Sequence, residues 1–430
     1  MAVLIDNIAI IPMDGQDSII ENGYLLLKED VIAEVGSGAA PAGDYDKVID
    51  GAGKVALPGL INTHTHAAMT LLRGYADDLP LMDWLSTKIW PMEAKLNDTD
   101  IYWGTMLAIT EMIRSGTTTF NDMYFSMSQA ARAVEQTGIR AVLSRGMIGI
   151  SPDSQAALDD SRRLVEQWHN AANGRIRFAL GPHAPYTCPP EYLRQVVALA
   201  EELDSGLHIH IAETRQEVED MQNQYGMSPV KLMLENGVFT RPTLAAHCVH
   251  LDSEDIAILH QYKVGVAHNP QSNMKLASGI APVPEMLRAG IAIGLGTDGA
   301  SSNNNLDMIE EMRSCALLHK VNTMDPTILP AYQALEMGTI LGARALGWDD
   351  QIGMLKPGYK ADLILVNCTP AHMIPRYDLV ANIIYSAQAA DVNTVVVNGR
   401  ILMENRIITA FDEQEVLDKC QAIAADLSSR

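Results

Sequence analysis

Cysteine, aromatic and basic residues are all scarce in this 430-residue sequence. The five cysteines (Cys188, Cys248, Cys315, Cys368, Cys420) are scattered, odd in number and never spaced as Cys-x-x-Cys. They exclude a disulfide framework and a zinc knuckle, and they fit a reducing compartment. Lysine and arginine total 31 against 53 acidic residues, a formal net charge of −22. Such a surface repels nucleic acid and anionic membrane, so neither is an expected partner. The acidity itself reads as solubility. No apolar run approaches the ~18 residues of a membrane span. The first residues, Met1-Ala2-Val3-Leu4-Ile5-Asp6, place no basic segment ahead of an apolar one, so no secretory signal is expected. A soluble cytoplasmic protein is expected.

Aromatics make up only 5% of the chain, yet 47% of it is hydrophobic. That is enough for more than one ordinary domain, although a barrel can use about 250 residues in one unit. Residues 1–55 read as short strands punctuated by Asp14-Gly15, Asn22-Gly23 and a Gly/Ala/Pro loop at 36–43. The same texture returns at 360–412, with a strand pair folded at Asn398-Gly399. A small β-sandwich assembled from both ends is therefore expected, followed by a helix over 413–430. The middle, 56–359, alternates apolar strands with helical stretches. Strands are expected at Val55–Thr63, Thr117–Met123, Ala141–Met147, Arg177–Leu180, Leu207–Ile211, Thr243–Ala246, Val264–Ala267 and Ala292–Leu295. Short parallel strands separated by helices predict an α/β chain closed into a (β/α)8 barrel. A doubly wound sheet is the alternative, but no Gly-rich phosphate loop follows the first strand.

The polar residues cluster where strands end, and in a barrel those ends converge on one pocket. The first end is Asn62-Thr63-His64-Thr65-His66. Residues i and i+2 of an extended segment face the same side, so both imidazoles can meet one cation. At Leu207-His208-Ile209-His210-Ile211-Ala212-Glu213, His208 and His210 also share a face, so spacing alone does not choose between them. His210 lies nearer the strand's C-terminal end, and His208 reads as a buried, hydrogen-bonded histidine below it. Glu213, just past the strand, is placed to handle protons. His247 and Asp298 close the sixth and eighth strands. Each alone has a bland reading as a satisfied core polar group; four strand ends together point to a site. Three histidines and an aspartate leave one coordination position for water, the mark of a catalytic metal centre. The fourth strand offers no lysine at its end to carry a bridging carbamate, so one divalent ion is expected.

These residues resemble a known family. Pro58-Gly59-Leu60-Ile61-Asn62-Thr63-His64-Thr65-His66, the His210…Glu213 pair, Ala246-His247-Cys248-Val249-His250 and Gly296-Thr297-Asp298-Gly299 resemble the amidohydrolase superfamily. Within it, the chain looks like the 5-methylthioadenosine/S-adenosylhomocysteine deaminases along essentially its whole length. Ile89-Trp90-Pro91-Met92-Glu93 narrows the likeness to the deaminase and chlorohydrolase branch. The resemblance implies that His64, His66, His210 and Asp298 hold the metal, zinc being the usual ion. It implies Glu93 on the ribose hydroxyls, His183 on the purine, and Arg145 on the carboxylate of an adenosylhomocysteine-like substrate. Glu213 and His247 would move protons, and Trp84 would stack on sugar or base. The rival readings are a core anchor for Trp84, a local ion pair for Arg145 and an ordinary helix carboxylate for Glu93.

The implied reaction is hydrolysis at C6 of an adenine, with Asp298 taking a proton from water and Glu213 giving one to N1. The implied partner is a small nucleoside, and homodimers or tetramers are common in the family. The alternatives are deamination of another purine or a pterin, chlorotriazine hydrolysis, or an inactive scaffold.

Overall fold

A computed structural model describes residues 2–430. The middle of the chain is an eight-stranded parallel barrel. Its strands are β1 (Leu60–Thr65), β2 (Thr117–Tyr124), β3 (Arg140–Met147), β4 (Ile176–Pro182), β5 (Leu207–Ile211), β6 (Thr243–His247), β7 (Gly265–His268) and β8 (Ile293–Leu295). They hydrogen-bond in sequence order. The crossovers are α1 (Asp98–Ser115), α2 (Met127–Thr137), α3 (Ser154–Trp168), α4 (Pro190–Glu202), α5 (Arg215–Tyr225), α6 (Ser253–Gln261) and α7 (Val283–Arg288), with α8 (Met308–Thr323) after the last strand. Side chains of α1 show why such helices form. Asn97 and Asp100 cap its start reciprocally, and Gly116 in the left-handed region ends it.

Asn62 and Thr63 close the seam between β8 and β1. The Thr63 hydroxyl donates to the Leu295 carbonyl at 2.9 Å, and the Asn62 amide donates to Thr297 Oγ1 at 2.7 Å. The backbone N–H of Asp298 donates to the His64 carbonyl at 2.9 Å. The residues flanking the histidine pair are thus structural, and they fix it against Asp298.

The two chain ends build one nine-stranded sheet around its own apolar core, which includes Ile5, Leu25, Ile32, Leu363 and Val396. The Asn-Gly hairpin forms as expected between Val392–Val397 and Arg400–Glu404, with Asn398 and Gly399 at φ 51° and 74°. One strand was read too long. Val55–Thr63 is two strands in two sheets, Lys54–Pro58 in the terminal sheet and Leu60–Thr65 in the barrel. They part at Gly59, where a Cβ would lie 2.0 Å from the Thr118 hydroxyl, so only glycine lets the chain pass. Glu413–Leu427 forms the terminal helix α9. Among the described residues, no helix is long and apolar enough to cross a membrane.

Candidate active site

At three strand ends the backbone is bent to aim side chains at one point. Ala212, His247, Cys248 and Asp298 all have positive φ, between 49° and 72°, which costs non-glycine residues ~1–3 kcal/mol each. The surroundings hold each bend. Glu217, buried on α5, accepts the N–H groups of Ala212 and Glu213 at 2.8 and 2.9 Å. The Thr65 hydroxyl donates to the Asp298 carbonyl at 3.0 Å.

His64, His66, His210 and Asp298 converge. Asp298 Oδ1 lies 3.4 Å from His64 Nε2 and 3.3 Å from His66 Nε2, and the Nε2 atoms of His66 and His210 are 3.4 Å apart. Tetrahedral ligands ~2.0–2.1 Å from a zinc-sized ion stand roughly 3.3–3.4 Å from one another. The other ring nitrogens fix the tautomers. His66 Nδ1–H donates to the Met123 carbonyl at 2.6 Å, and His210 Nδ1–H donates to the His183 carbonyl at 2.7 Å. His64 Nδ1 meets His208 Nε2 at 2.8 Å, His208 Nδ1 meets the Ser144 hydroxyl at 3.1 Å, and that hydroxyl donates to the Asp122 carbonyl at 2.8 Å. Read along this chain, each N–H points outward and His64, His66 and His210 each present a bare Nε2 to the centre. His64 Nε2 is buried with no hydrogen-bond partner. Burial pushes His64 down to about 4 and holds His210 well below the usual histidine range. Such rings stay neutral, as metal binding requires, so the donor set fits a divalent ion.

Two carboxyls beside this centre are driven in opposite directions. Burial resists ionisation of Asp298, but the imidazoles of His64, His66 and His247 outweigh it and hold the carboxyl well below its ordinary range. Burial raises Glu213, against the pull of His247. His247 stands between them, its Nε2 3.8 Å from Glu213 and its Nδ1 2.9 Å from Asn273 Oδ1. Burial would lower His247, but Glu213 and Asp298 raise it.

A cavity opens above, lined by Trp84, Glu93, His183, Glu213, His247 and Asp298 among others. Trp84 is buried at the cavity wall. Its ring lines the cavity while its indole N–H donates to the Ala76 carbonyl at 2.9 Å. Glu93 Oε1 accepts the Tyr124 hydroxyl at 2.6 Å, and burial pushes its carboxyl up to about 7. The ring of His183 lines the cavity while its carbonyl orients His210. Arg145 does not line the cavity. On β3 the Ser144 hydroxyl points inward to His208, so the strand's alternation turns Arg145 toward α3, where Nε lies 3.4 Å from Asp160. Its neighbour Gly146 does face the cavity. His250 bonds the Ser278 carbonyl at 2.7 Å, a structural place.

Sequence reasoning overlooked Ser272, Asn273, Ser302 and Glu217. Ser272 and Ser302 donate to Asp298 Oδ2 at 2.7 and 2.9 Å. The signal for the first two was available, because Asn269-Pro270-Gln271-Ser272-Asn273 follows β7 at the same barrel end.

The model of the amidohydrolase family matches residues 55–402. A 5-methylthioadenosine/S-adenosylhomocysteine deaminase of Syntrophomonas wolfei subsp. wolfei is 65% identical over 428 residues, 99% of each chain. An adenosine deaminase from Xanthomonas campestris, solved with bound zinc, superposes with a TM-score of 0.95 at 34% identity, covering 100% of this chain and 99% of that one. An atrazine chlorohydrolase from Arthrobacter aurescens TC1, complexed with zinc, gives 0.92 at 25% identity over 98% of this chain and 100% of that one.

Proposed function

The chain belongs to the amidohydrolase family, and on that premise we propose that it is a hydrolytic deaminase of adenosine-type nucleosides, 5′-methylthioadenosine and S-adenosylhomocysteine among them. One observation carries the reading. Two buried carboxyls, Glu213 and Asp298, stand at one centre where His64 and His66 Nε2 lie 3.4 and 3.3 Å from Asp298 Oδ1, an arrangement that can divide acid and base roles in one pocket. Full-length identity with the Syntrophomonas enzyme supports the choice of substrate.

His64, His66, His210 and Asp298 would hold one divalent ion at this centre, zinc in this reading, as in the Xanthomonas and Arthrobacter structures. Such an ion lowers the pKa of a bound water from ~15.7 toward ~7 and supplies the nucleophile at neutral pH. Asp298, kept ionised and clamped by Ser272 and Ser302, accepts the water proton as oxygen bonds to C6. Glu213, whose burial favours the protonated form, gives its proton to the adjacent ring nitrogen. His247, raised and within 3.8 Å of Glu213, steadies that transfer. The proton taken by Asp298 leaves on the amine as the C6–N bond breaks, and the new C6 hydroxyl returns its proton to Glu213, giving the inosine analogue and ammonia. Glu93 accepts ribose hydroxyls through the oxygen that Tyr124 leaves free, while His183 and Trp84 flank the base. To meet the carboxylate of a homocysteine tail, Arg145 would have to turn out of its Asp160 pair toward the cavity rim at Gly146.

The test is ammonia release from methylthioadenosine, adenosylhomocysteine, adenosine, guanine and a chlorotriazine. Turnover of the first two is expected, with Asp298→Ala and Glu213→Ala reducing kcat by orders of magnitude while the circular dichroism stays native. Consumption of guanine or the triazine alone would replace the substrate. Full activity in either variant would overturn the roles.

A further inference from the structure

A second group of metal-ligating side chains lies on the far side of β7. His268 ends that strand, and Cys315 and His319 sit one turn apart on the inward face of α8. All three are fully buried, and one ligand atom from each lies within 4.8 Å of the other two. The Nε2 atoms of His268 and His319 are 3.2 Å apart. A hydrogen bond between the rings accounts for that contact and for nothing else. Both Nδ1 atoms remain buried without partners. Cys188, Cys248, Cys368 and Cys420 each donate to a carbonyl, whereas Cys315, among the described residues, has no hydrogen-bond acceptor. The Cys315 thiol, sealed in a dry core beside the two imidazoles, is the unsatisfied group that an ion between them would meet.

We propose that His268, Cys315 and His319 form a structural site for a divalent transition-metal ion of the zinc class, distinct from the catalytic centre. The 3.2 Å spacing of the two Nε2 atoms is close to the roughly 3.3–3.4 Å edge of a tetrahedral nitrogen pair, and imidazole with thiolate is a donor set such ions take. Both rings are already neutral, because burial lowers His319 to about 4 and holds His268 well below its usual range. Binding therefore releases one proton, from the Cys315 thiol, as the metal–sulfur bond forms. With all three donors sealed from solvent, the ion would clamp β7 to α8 rather than meet substrate.

Cobalt distinguishes the two centres, because no thiol belongs to the catalytic donor set. Full-length protein produced with cobalt as the only added transition metal should carry two ions per chain. It should also show a near-ultraviolet thiolate-to-cobalt charge-transfer band. Cys315→Ser should lose the band and one ion while keeping the other ion and the enzymatic activity. One ion per chain without the band, two ions without it, or a band that survives in Cys315→Ser would each overturn the proposal. The stoichiometry and spectrum of the unmutated protein decide the matter even if the variant does not fold.

Discussion

At the scale of single residues, the chemistry depends on which carboxyls hold a proton near neutrality. Burial raises both Glu93 and Glu217 to about 7, and of the two Glu93 is the one that lines the cavity. Below that pH the carboxyl is protonated and loses an acceptor for ribose hydroxyls; above it the acceptor returns. Nucleoside kcat/KM is therefore expected to rise with pH through about 7, and Glu93→Gln should remove that limb. The variant should also raise KM roughly 10- to 100-fold, the size of one charge-assisted hydrogen bond at ~1.5–3 kcal/mol. Tyr124→Phe removes the bond that draws the Glu93 pKa down, so the same inflection should move upward. A pH profile in which these variants match the parent would separate Glu93 from the sugar. Arg145 gives a second residue-scale test. Arg145→Ala should raise KM for adenosylhomocysteine and leave methylthioadenosine, which has no carboxylate, unchanged.

At the scale of elements, the site is a set of strained strand ends held by neighbouring helices. Glu217 shows the principle, since a helix carboxylate restrains the left-handed Ala212 and so presents Glu213. Glu217→Ala leaves two buried N–H groups unmet, at ~1–3 kcal/mol each. Its expected signature is a lower denaturant midpoint together with a fall in kcat that exceeds any change in KM. Glu217→Gln keeps one acceptor and should fall between the variant and the parent in both measurements. The segment after β7 serves Asp298 and His247 in the same way, through Ser272 and Asn273.

At the scale of the whole molecule, the barrel and the terminal sheet are joined by a buried ion pair. Arg140 at the start of β3 donates to Asp362 Oδ2 at 2.7 Å, and Asp362 also accepts the N–H of Asn398 at 2.7 Å. Both charges are almost fully buried, 1% and 2% exposed. Asp362→Ala strands the guanidinium and should cost ~3–5 kcal/mol in chemical unfolding. Replacing both partners by apolar residues of similar volume should recover most of that loss, because no uncompensated charge remains.

How much of this was legible depends on how local the signal is. Seven of the expected barrel strands lie within a residue or two of those observed, and β5 matches at both ends, because strand period and flanking turns are short-range properties. His64, His66, His210 and Asp298 were legible for the same reason: each sits at a strand end, and a barrel gathers strand ends. The helix α5 and the long α8, with their buried Glu217, Glu311, Cys315 and His319, were not anticipated as carriers of polar function. Gly59 was seen as part of a motif, yet its role in dividing one apolar run between two sheets depends on Thr118, far away in the chain. The direction of Arg145 depends on Ser144 being held by His208, and the tautomers of the ligand histidines depend on carbonyls at 123 and 183. The sequence by itself determined the barrel and the strand ends that carry His64, His66, His210 and Asp298, since local periodicity and composition specify them. Only the tertiary structure decided which nitrogen faces the centre, which carboxyl keeps its proton and which arginine faces away, because burial and long-range hydrogen bonds set those states.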